Sequence, residues 1–304
     1  MAKNPNKIKN GSIVATAIIY VILALLALIC LYPIWYVIII SFSRPIAART
    51  LDVFLIPKGF YIGSYTQLFK DTQMWTTYGN TLIYASTCVV GMLITSAMAA
   101  YPLTSPYLIG KKFWVFFILI PMYFSGGLIP QYIIMSKLHM INSRWVIIIP
   151  GVVSMWYIIL VRTYFATIPE DLRESARIDG ANNYQILLNV YVPTSKPIMA
   201  VIAIYTLVAQ WNSWYAASIY LTNPNLQPLQ LYLRRKLVLA EKMSNEMNKG
   251  GTTADGQQQL ELQLLSADQL KYTMIVVSTL PMMLAYPFAQ KYFVKGVMVG
   301  SLKG

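Results

Sequence analysis

The chain has 304 residues, of which 57% are hydrophobic and only 12% charged, with a formal net charge of +13. A soluble chain carries about a quarter charged residues, so this composition excludes an ordinary soluble globular protein. The basic excess would suit nucleic acid, but the cations are spread between apolar runs, a pattern that fits anionic lipid headgroups instead.

In chain order, a basic start (Lys3, Lys7, Lys9) leads into an apolar run from Ile13 to Ile40. That run is too long for the core of a secretory signal, and it continues through Leu31-Tyr32-Pro33-Ile34-Trp35. It is therefore predicted as the first span, 13–41, with the N-terminus cytoplasmic. Five further charge-poor runs predict spans at 77–102, 113–136, 145–166, 197–221 and 272–292, since about 17–25 apolar residues cross a hydrocarbon core. The expected fold class is all-α and polytopic, because an open sheet cannot satisfy its backbone in lipid and no alternating ten-residue strands occur. Pro33, Pro121, Pro130, Pro150, Pro281 and Pro287 fall in these spans and predict kinks. Cys30 and Cys88 read as small packing residues, and His139, the one histidine, as a loop residue.

Placing both termini inside divides the basic residues evenly between the two sides, and only their density near the termini and in the 103–112 loop leans toward that orientation. Between the fifth and sixth spans lies a polar stretch, 223–270, expected outside. Its 229–239 part mixes apolar and basic residues and suits a surface helix. Its 246–259 part is rich in glycine and polar residues and is expected to be mobile. No separate soluble domain is visible, and the whole chain, 1–304, reads as one transmembrane domain.

The loop between the fourth and fifth spans is the most informative piece. Pro169-Glu170-Asp171 is a helix-start signal, because the acids meet the positive end of the helix dipole. Asp179-Gly180 breaks that helix, and a second one runs to about Val192 before Pro193. A helix–turn–helix between two spans protrudes as a compact knob suited to docking. Glu174-Ser175-Ala176, then Asp179-Gly180-Ala181, then Ile186 and Pro193 resemble the EAA loop of binding-protein-dependent ABC importer permeases. The family pattern has Ala where this chain has Ser175, a small-for-small change. The resemblance implies that 169–193 is a cytoplasmic coupling element seated on an ATPase, with Glu170 and Glu174 at that contact and Asp179-Gly180 setting the turn. It also implies a maltose-permease-like (type I) fold, a second homologous permease subunit, two ABC ATPase subunits that hold ATP and Mg, and an extracytoplasmic solute-binding protein. The chain would itself hold no cofactor or metal and do no catalysis, and both termini would be cytoplasmic.

The C-terminal 290–304 resembles the tail of maltose-type sugar permeases. Tyr123-Phe124-Ser125-Gly126-Gly127-Leu128-Ile129-Pro130, Gln210-Trp211-Asn212-Ser213-Trp214 and Gln227-Pro228-Leu229-Gln230 resemble the complex-oligosaccharide branch, including alginate-type permeases. A sugar offers hydroxyls and a C–H face, so its path should pair aromatic rings with uncharged polar groups. Trp211, Asn212, Trp214 and Tyr215 form the densest such cluster within a span, and Tyr123 and Gln131 are further candidates. The alternative for the cluster is interhelical packing and an interfacial tryptophan belt. A P-loop is absent, and no carboxylate lies in a predicted span, which counts against a proton-coupled carrier. A permease for a non-sugar solute, or a secondary carrier, remains the alternative to an oligosaccharide importer.

Overall fold

The computed structural model describes residues 10–50, 52–248 and 269–287, and among these every regular element is helical. The C-terminal 290–304 and the 249–259 part of the polar stretch lie outside the described residues, as does the end of the expected span 272–292. The chain divides into two compact units, 1–70 with 237–277 and 71–236 with 278–304.

In the first unit, α1 (Asn10–Ser41) contains a stretch, Ala15–Ser41, long and apolar enough to cross a membrane. Its side chains from Ile18 to Trp35 are exposed on every face, as expected where lipid or another protein supplies the solvent. Its end, Ile39 and Ile40, packs with Ala47 and Ala48 of α2 (Pro45–Thr50) and with Val53. Helix α3 (Gly63–Lys70) follows, and the Ser64 hydroxyl donates to Gln269 Oε1 at 2.6 Å.

The second unit is organised by α4 (Thr72–Thr104), a 33-residue helix capped by the Asp71 carboxylate, which accepts from the Gln73 N–H at 2.9 Å. The 113–136 segment that the sequence presents as one span is broken, and the helix of the expected 197–221 span bends sharply away from the loop segment before it. Helix α5 (Lys111–Tyr123) and α6 (Leu128–Lys137) meet at 110°, because Gly127 sits at φ +83°, a conformation that only glycine takes without strain. Residues 183–194, which comprise α10 (Asn183–Ile186), a π-turn (Leu187–Tyr191) and α11 (Val192–Thr194), meet α12 (Lys196–Trp211) at 81°. Pro193 and Pro197 flank that bend and withhold the N–H groups that would continue the helix. Helices α7 (Trp145–Gly151) and α8 (Met155–Phe165) together form a third full-length span, so the described residues hold three such helices, or five with each bent pair counted.

Small residues let these helices approach. A Cβ on Gly151 would lie 2.6 Å from Cys88 Sγ of α4 and 2.9 Å from Gln210 Nε2 of α12, and one on Gly91 would collide with Val152. Between lipid-embedded helices the attraction is dispersion and hydrogen bonding rather than the hydrophobic effect, so close backbone approach is what stabilises the bundle. Two clusters result. Met92, Tyr101, Val161, Phe165, Ile186, Tyr191 and Ile202 pack toward one end, and Tyr84, Val146, Ile148, Tyr220, Leu221 and Leu231 toward the other. Helix α14 (Leu229–Asn248) begins in the second cluster, with Leu229, Leu231, Tyr232 and Leu233 buried. The expected surface helix over 229–239 is therefore anchored along one side.

Candidate functional site: a docking knob and a cavity along α12

The knob begins with α9 (Glu170–Ile178), whose first turn carries Glu170 and Asp171 and whose last carries Arg177, the arrangement that suits the helix dipole. It ends in a Schellman motif: the Ala181 N–H bonds Ala176 O at 2.9 Å and the Gly180 N–H bonds Arg177 O at 3.0 Å. Gly180 stands at φ +81°, where a side chain is strained. Asn182 then starts the next helix with a capping box, accepting from the Gln185 N–H at 3.0 Å while its own N–H reaches Gln185 Oε1 at 2.8 Å. Every turn of the knob is thus fixed by local hydrogen bonds.

Within it, Ala176 and Ala181 pack inward against the Tyr101–Tyr191 cluster, whereas Glu170, Glu174, Ser175, Asp179, Gly180 and Pro193 are exposed. The outer surface is also apolar: Ile178 is 86%, Tyr184 69% and Leu188 63% exposed, which makes a mixed acidic and apolar face of the kind that proteins bind.

Arg173 was not legible as a functional residue. It is 1% exposed, its guanidinium lies 5.3 and 5.4 Å from the rings of Tyr101 and Tyr191, and its Nη1 pairs with Glu170 at 3.0 Å. Its Nη2 lies 3.4 Å from the Thr104 hydroxyl, at the last turn of α4. The same turn receives Lys111 on Thr104 O at 3.0 Å and Arg162 on Leu103 O at 3.3 Å, cations on the negative end of a helix dipole. The Glu170–Arg173 spacing was the available signal, but it reads equally as a solvated helix pair.

Along α12, from Ala200 to Asn212, a cavity of about 670 Å³ opens between that helix and residues 278–286. Ala203, Leu207, Trp211, Asn212, Gln230 and Tyr286 are among the residues that line it. Trp211 is buried and donates its indole N–H to Ser278 O at 3.0 Å, with Tyr78 edge-on at 5.7 Å. Asn212 is exposed and ends the helix, so the predicted 197–221 span stops at Trp211 and resumes only as α13 (Tyr215–Tyr220). Trp214 and Tyr215 follow with their rings perpendicular at 5.6 Å. Tyr123 and Gln131, exposed on either side of the α5–α6 bend, do not line this cavity.

The lip of the cavity is tied to α4. The Tyr232 hydroxyl donates to Asp71 Oδ2 at 2.6 Å and Lys236 Nζ lies 3.3 Å from the same oxygen. Partial burial alone would raise the Asp71 carboxyl, but the hydrogen bonds from Tyr232 and the Gln73 amide and the charge of Lys236 outweigh it and hold it below its ordinary value. Burial and the bond to Asp71 push the Tyr232 phenol up. Asn80, which accepts from Arg144 Nη2 at 3.0 Å, donates to Asn225 O and Gln227 O and fixes the 223–227 turn.

Residues 95–299 match the family described as binding-protein-dependent transport system inner membrane component. The chain belongs to this family. It is therefore a multi-pass inner-membrane permease component, and 169–193 lies within the matched region. The permease is 32% identical over 290 residues to the polygalacturonan/rhamnogalacturonan transport system permease protein YtcP of Bacillus subtilis (strain 168), covering 94% of this chain and 97% of that one. It is 28% identical to protein LplC of the same organism, covering 91% and 90%. A crystal structure of a bacterial ABC transporter involved in the import of the acidic polysaccharide alginate has a chain that superposes with a TM-score of 0.82 at 32% identity, covering 94% of this chain and 98% of that chain.

Proposed function

We propose that this permease is one transmembrane subunit of an ATP-driven importer that carries an oligosaccharide across the cytoplasmic membrane, with 169–193 inside and the α12 cavity on the sugar's route. The observation that carries the reading is the knob: an outward acidic and apolar face on a backbone locked at every turn, joined by Arg173 to the last turn of α4. Such an element transmits force without deforming, which is what coupling to a separate motor requires. The relatives, a polygalacturonan/rhamnogalacturonan permease and an alginate importer, support a sugar as cargo.

On this reading two ATPase subunits hold ATP and Mg, a second related permease completes the path, and an extracytoplasmic binding protein delivers the sugar. Glu170, Glu174, Ser175 and Asp179 meet the ATPase surface, while Ala176, Gly180, Ala181 and Pro193 give the element its shape. When the ATPase pair closes, the knob moves as a body and carries the ends of α4 and α12 with it, re-orienting the cavity. Trp211, Asn212, Trp214 and Tyr215 offer a C–H-binding ring surface and hydrogen-bonding groups. Tyr123 and Gln131 would have to contact the sugar elsewhere.

The test is ATP hydrolysis by the co-expressed complex in lipid, with its binding protein and a panel of oligosaccharides. Stimulation by a sugar is expected in the wild type and is expected to be lost in Gly180→Pro, which cannot adopt φ +81°. A chain that never copurifies with an ATPase, or a complex that no sugar stimulates, would sink the reading in favour of a carrier.

A further inference from the structure

In the first unit, the loop 52–58 runs back along α1 instead of out into water. Its base is clamped by three hydrogen bonds: the Arg44 N–H donates to Lys58 O at 3.1 Å, the Tyr61 N–H to Phe42 O at 2.9 Å, and the Lys58 N–H to the Ser43 hydroxyl at 3.3 Å. Gly59 turns the chain there at φ +67°, with the Arg44 side chain lying where a Cβ would be. From the base toward the tip, contacts step down the helix. Val53 is buried against Ile39 and Ile40, and the Leu55 carbonyl accepts from the Trp35 indole N–H at 3.3 Å, one turn nearer the middle of α1. The tip therefore hangs about 9 Å back from Ser41, the length of six helical residues.

That level is where a membrane boundary falls. Ala15 to Trp35 measures about 30 Å along α1, the thickness of a hydrocarbon core. Exposure changes at the same point: every residue from Ala15 to Trp35 is exposed, residues 36–38 are half-buried and 39–41 are buried. Tryptophan is the residue type that sits at headgroup level with its N–H on a polar partner. The chemistry of the tip fits that boundary. Phe54, Leu55 and Ile56 are 67, 65 and 76% exposed, three consecutive large apolar side chains that gain by leaving water. No charge lies from Val53 to Pro57, while the flanking Asp52 and Lys58 pair at 3.1 Å and stay more than half exposed. Irregular backbone enters an apolar phase only with its polar groups paired, and at the tip Trp35 pairs the Leu55 carbonyl.

We propose that Phe54-Leu55-Ile56 is a membrane anchor: a loop tip that inserts between headgroups and acyl chains in the leaflet at the Trp35 end of α1. The partner that this surface fits is the lipid itself. Side chains of the tip enter the boundary to the depth that interfacial segments reach, and the Asp52–Lys58 pair stays among the headgroups. Anchored there, the loop fixes the height of α2 and of the end of α1 against the bilayer.

The experiment attaches a fluorophore at Leu55→Cys in a Cys30→Ser background, using the full chain in its co-expressed complex in lipid nanodiscs. Cys88 is buried and is expected to stay unlabelled. The Leu55 side chain is exposed and its bond to Trp35 is made by the backbone, so the variant is expected to fold. Two quenchers are compared: a nitroxide carried near the head of the lipid acyl chain, and iodide in the water. At Leu55→Cys the nitroxide is expected to quench and iodide quenching to be lost. The same label at Gln67→Cys, exposed on α3, is expected to show the reverse. Ile56→Cys repeats the reading at the most exposed residue of the tip. Equal iodide quenching at the tip and at Gln67→Cys would overturn the proposal, because the tip would then stand in water. Quenching of the tip by neither agent would overturn it as well, because a protein surface, such as a second permease subunit, would then cover it.

Discussion

The two ends of α12 are built on opposite principles. At the Ser195 end, the knob is dense with short-range hydrogen bonds, has a charged side chain buried between two aromatic rings, and packs Tyr101, Tyr191 and Phe165 edge to face. Toward the Trp211 end the packing gives way to a cavity that runs along the helix from Ala200, and Asn212 stands exposed where the helix stops. The contrast is what a transport element needs: the end that receives force must not yield, and the end that meets cargo must leave room. Rigidity is written in local backbone chemistry, and openness in what neighbouring helices leave unfilled.

The sharpest way to break the rigid end is Arg173. Replacing it by Ala removes a buried side chain from between Tyr101 and Tyr191 and leaves its Glu170 partner half-exposed in water, so the loss is packing and cation–π contact rather than a stranded charge. A cost of about 2–4 kcal/mol is expected. The measured signs would be a lower melting temperature of the complex and ATP hydrolysis that no longer responds to sugar. A variant that melts early but keeps its sugar response would mean that Arg173 holds the fold without transmitting force. Arg173→Lys should restore less than half, because an ammonium cannot lie flat against both rings.

A smaller effect is expected at the contact that unites the ends. Gly151→Leu places a side chain where a Cβ alone already lies 2.6 Å from Cys88 Sγ, forcing α7 away from α4 and α12. Overpacking of this kind costs about 1–3 kcal/mol. With the exposed Cys30 replaced by Ser, cysteine-reactive labelling of Cys88, buried in the wild type, reads the separation. Labelling that stays slow in the variant would show that the helices absorb the side chain.

These two sites also mark what the sequence could reveal. The knob was legible because its parts lie within about 25 consecutive residues: acids at the helix start, Asp179-Gly180 at the break and Pro193 after the second helix. The apolar runs announced the spans by length, though not the 110° break at Gly127, since a glycine pair in an apolar run fits a straight helix as well as a bent one. Trp211 and Asn212 were found by their chemistry and do line the cavity. Arg173 was not found as a site residue, because its rings come from Tyr101 and Tyr191, at separations no local pattern encodes. For the same reason Trp211 appeared as a ring open to cargo, when its indole N–H is already committed to Ser278.

The smallest expected effect sharpens the comparison at the open end, where Asp71 fastens α14 beside the cavity. The Asp71 carboxyl is held below its ordinary value of 3.8, so its bonds to Tyr232 and Lys236 add stability above that pH and lose it as pH falls through the lower, folded value. The Tyr232 phenol is shifted the other way, above 10.0, so its contribution is intact below that pH and is lost as pH rises from there through the folded value. The fastening is therefore complete between these limits. Asp71→Asn should melt below wild type at neutral pH, and the gap should close on acidification below 3.8, where wild type protonates and the amide does not change. A gap that persists unchanged well below 3.8 would show that the charge of the carboxylate is not what fastens α14. The knob's α9 acids are exposed and lie about one helix length from this cluster, so the same titration should leave the Asp71 difference as the pH-sensitive part of the open end alone.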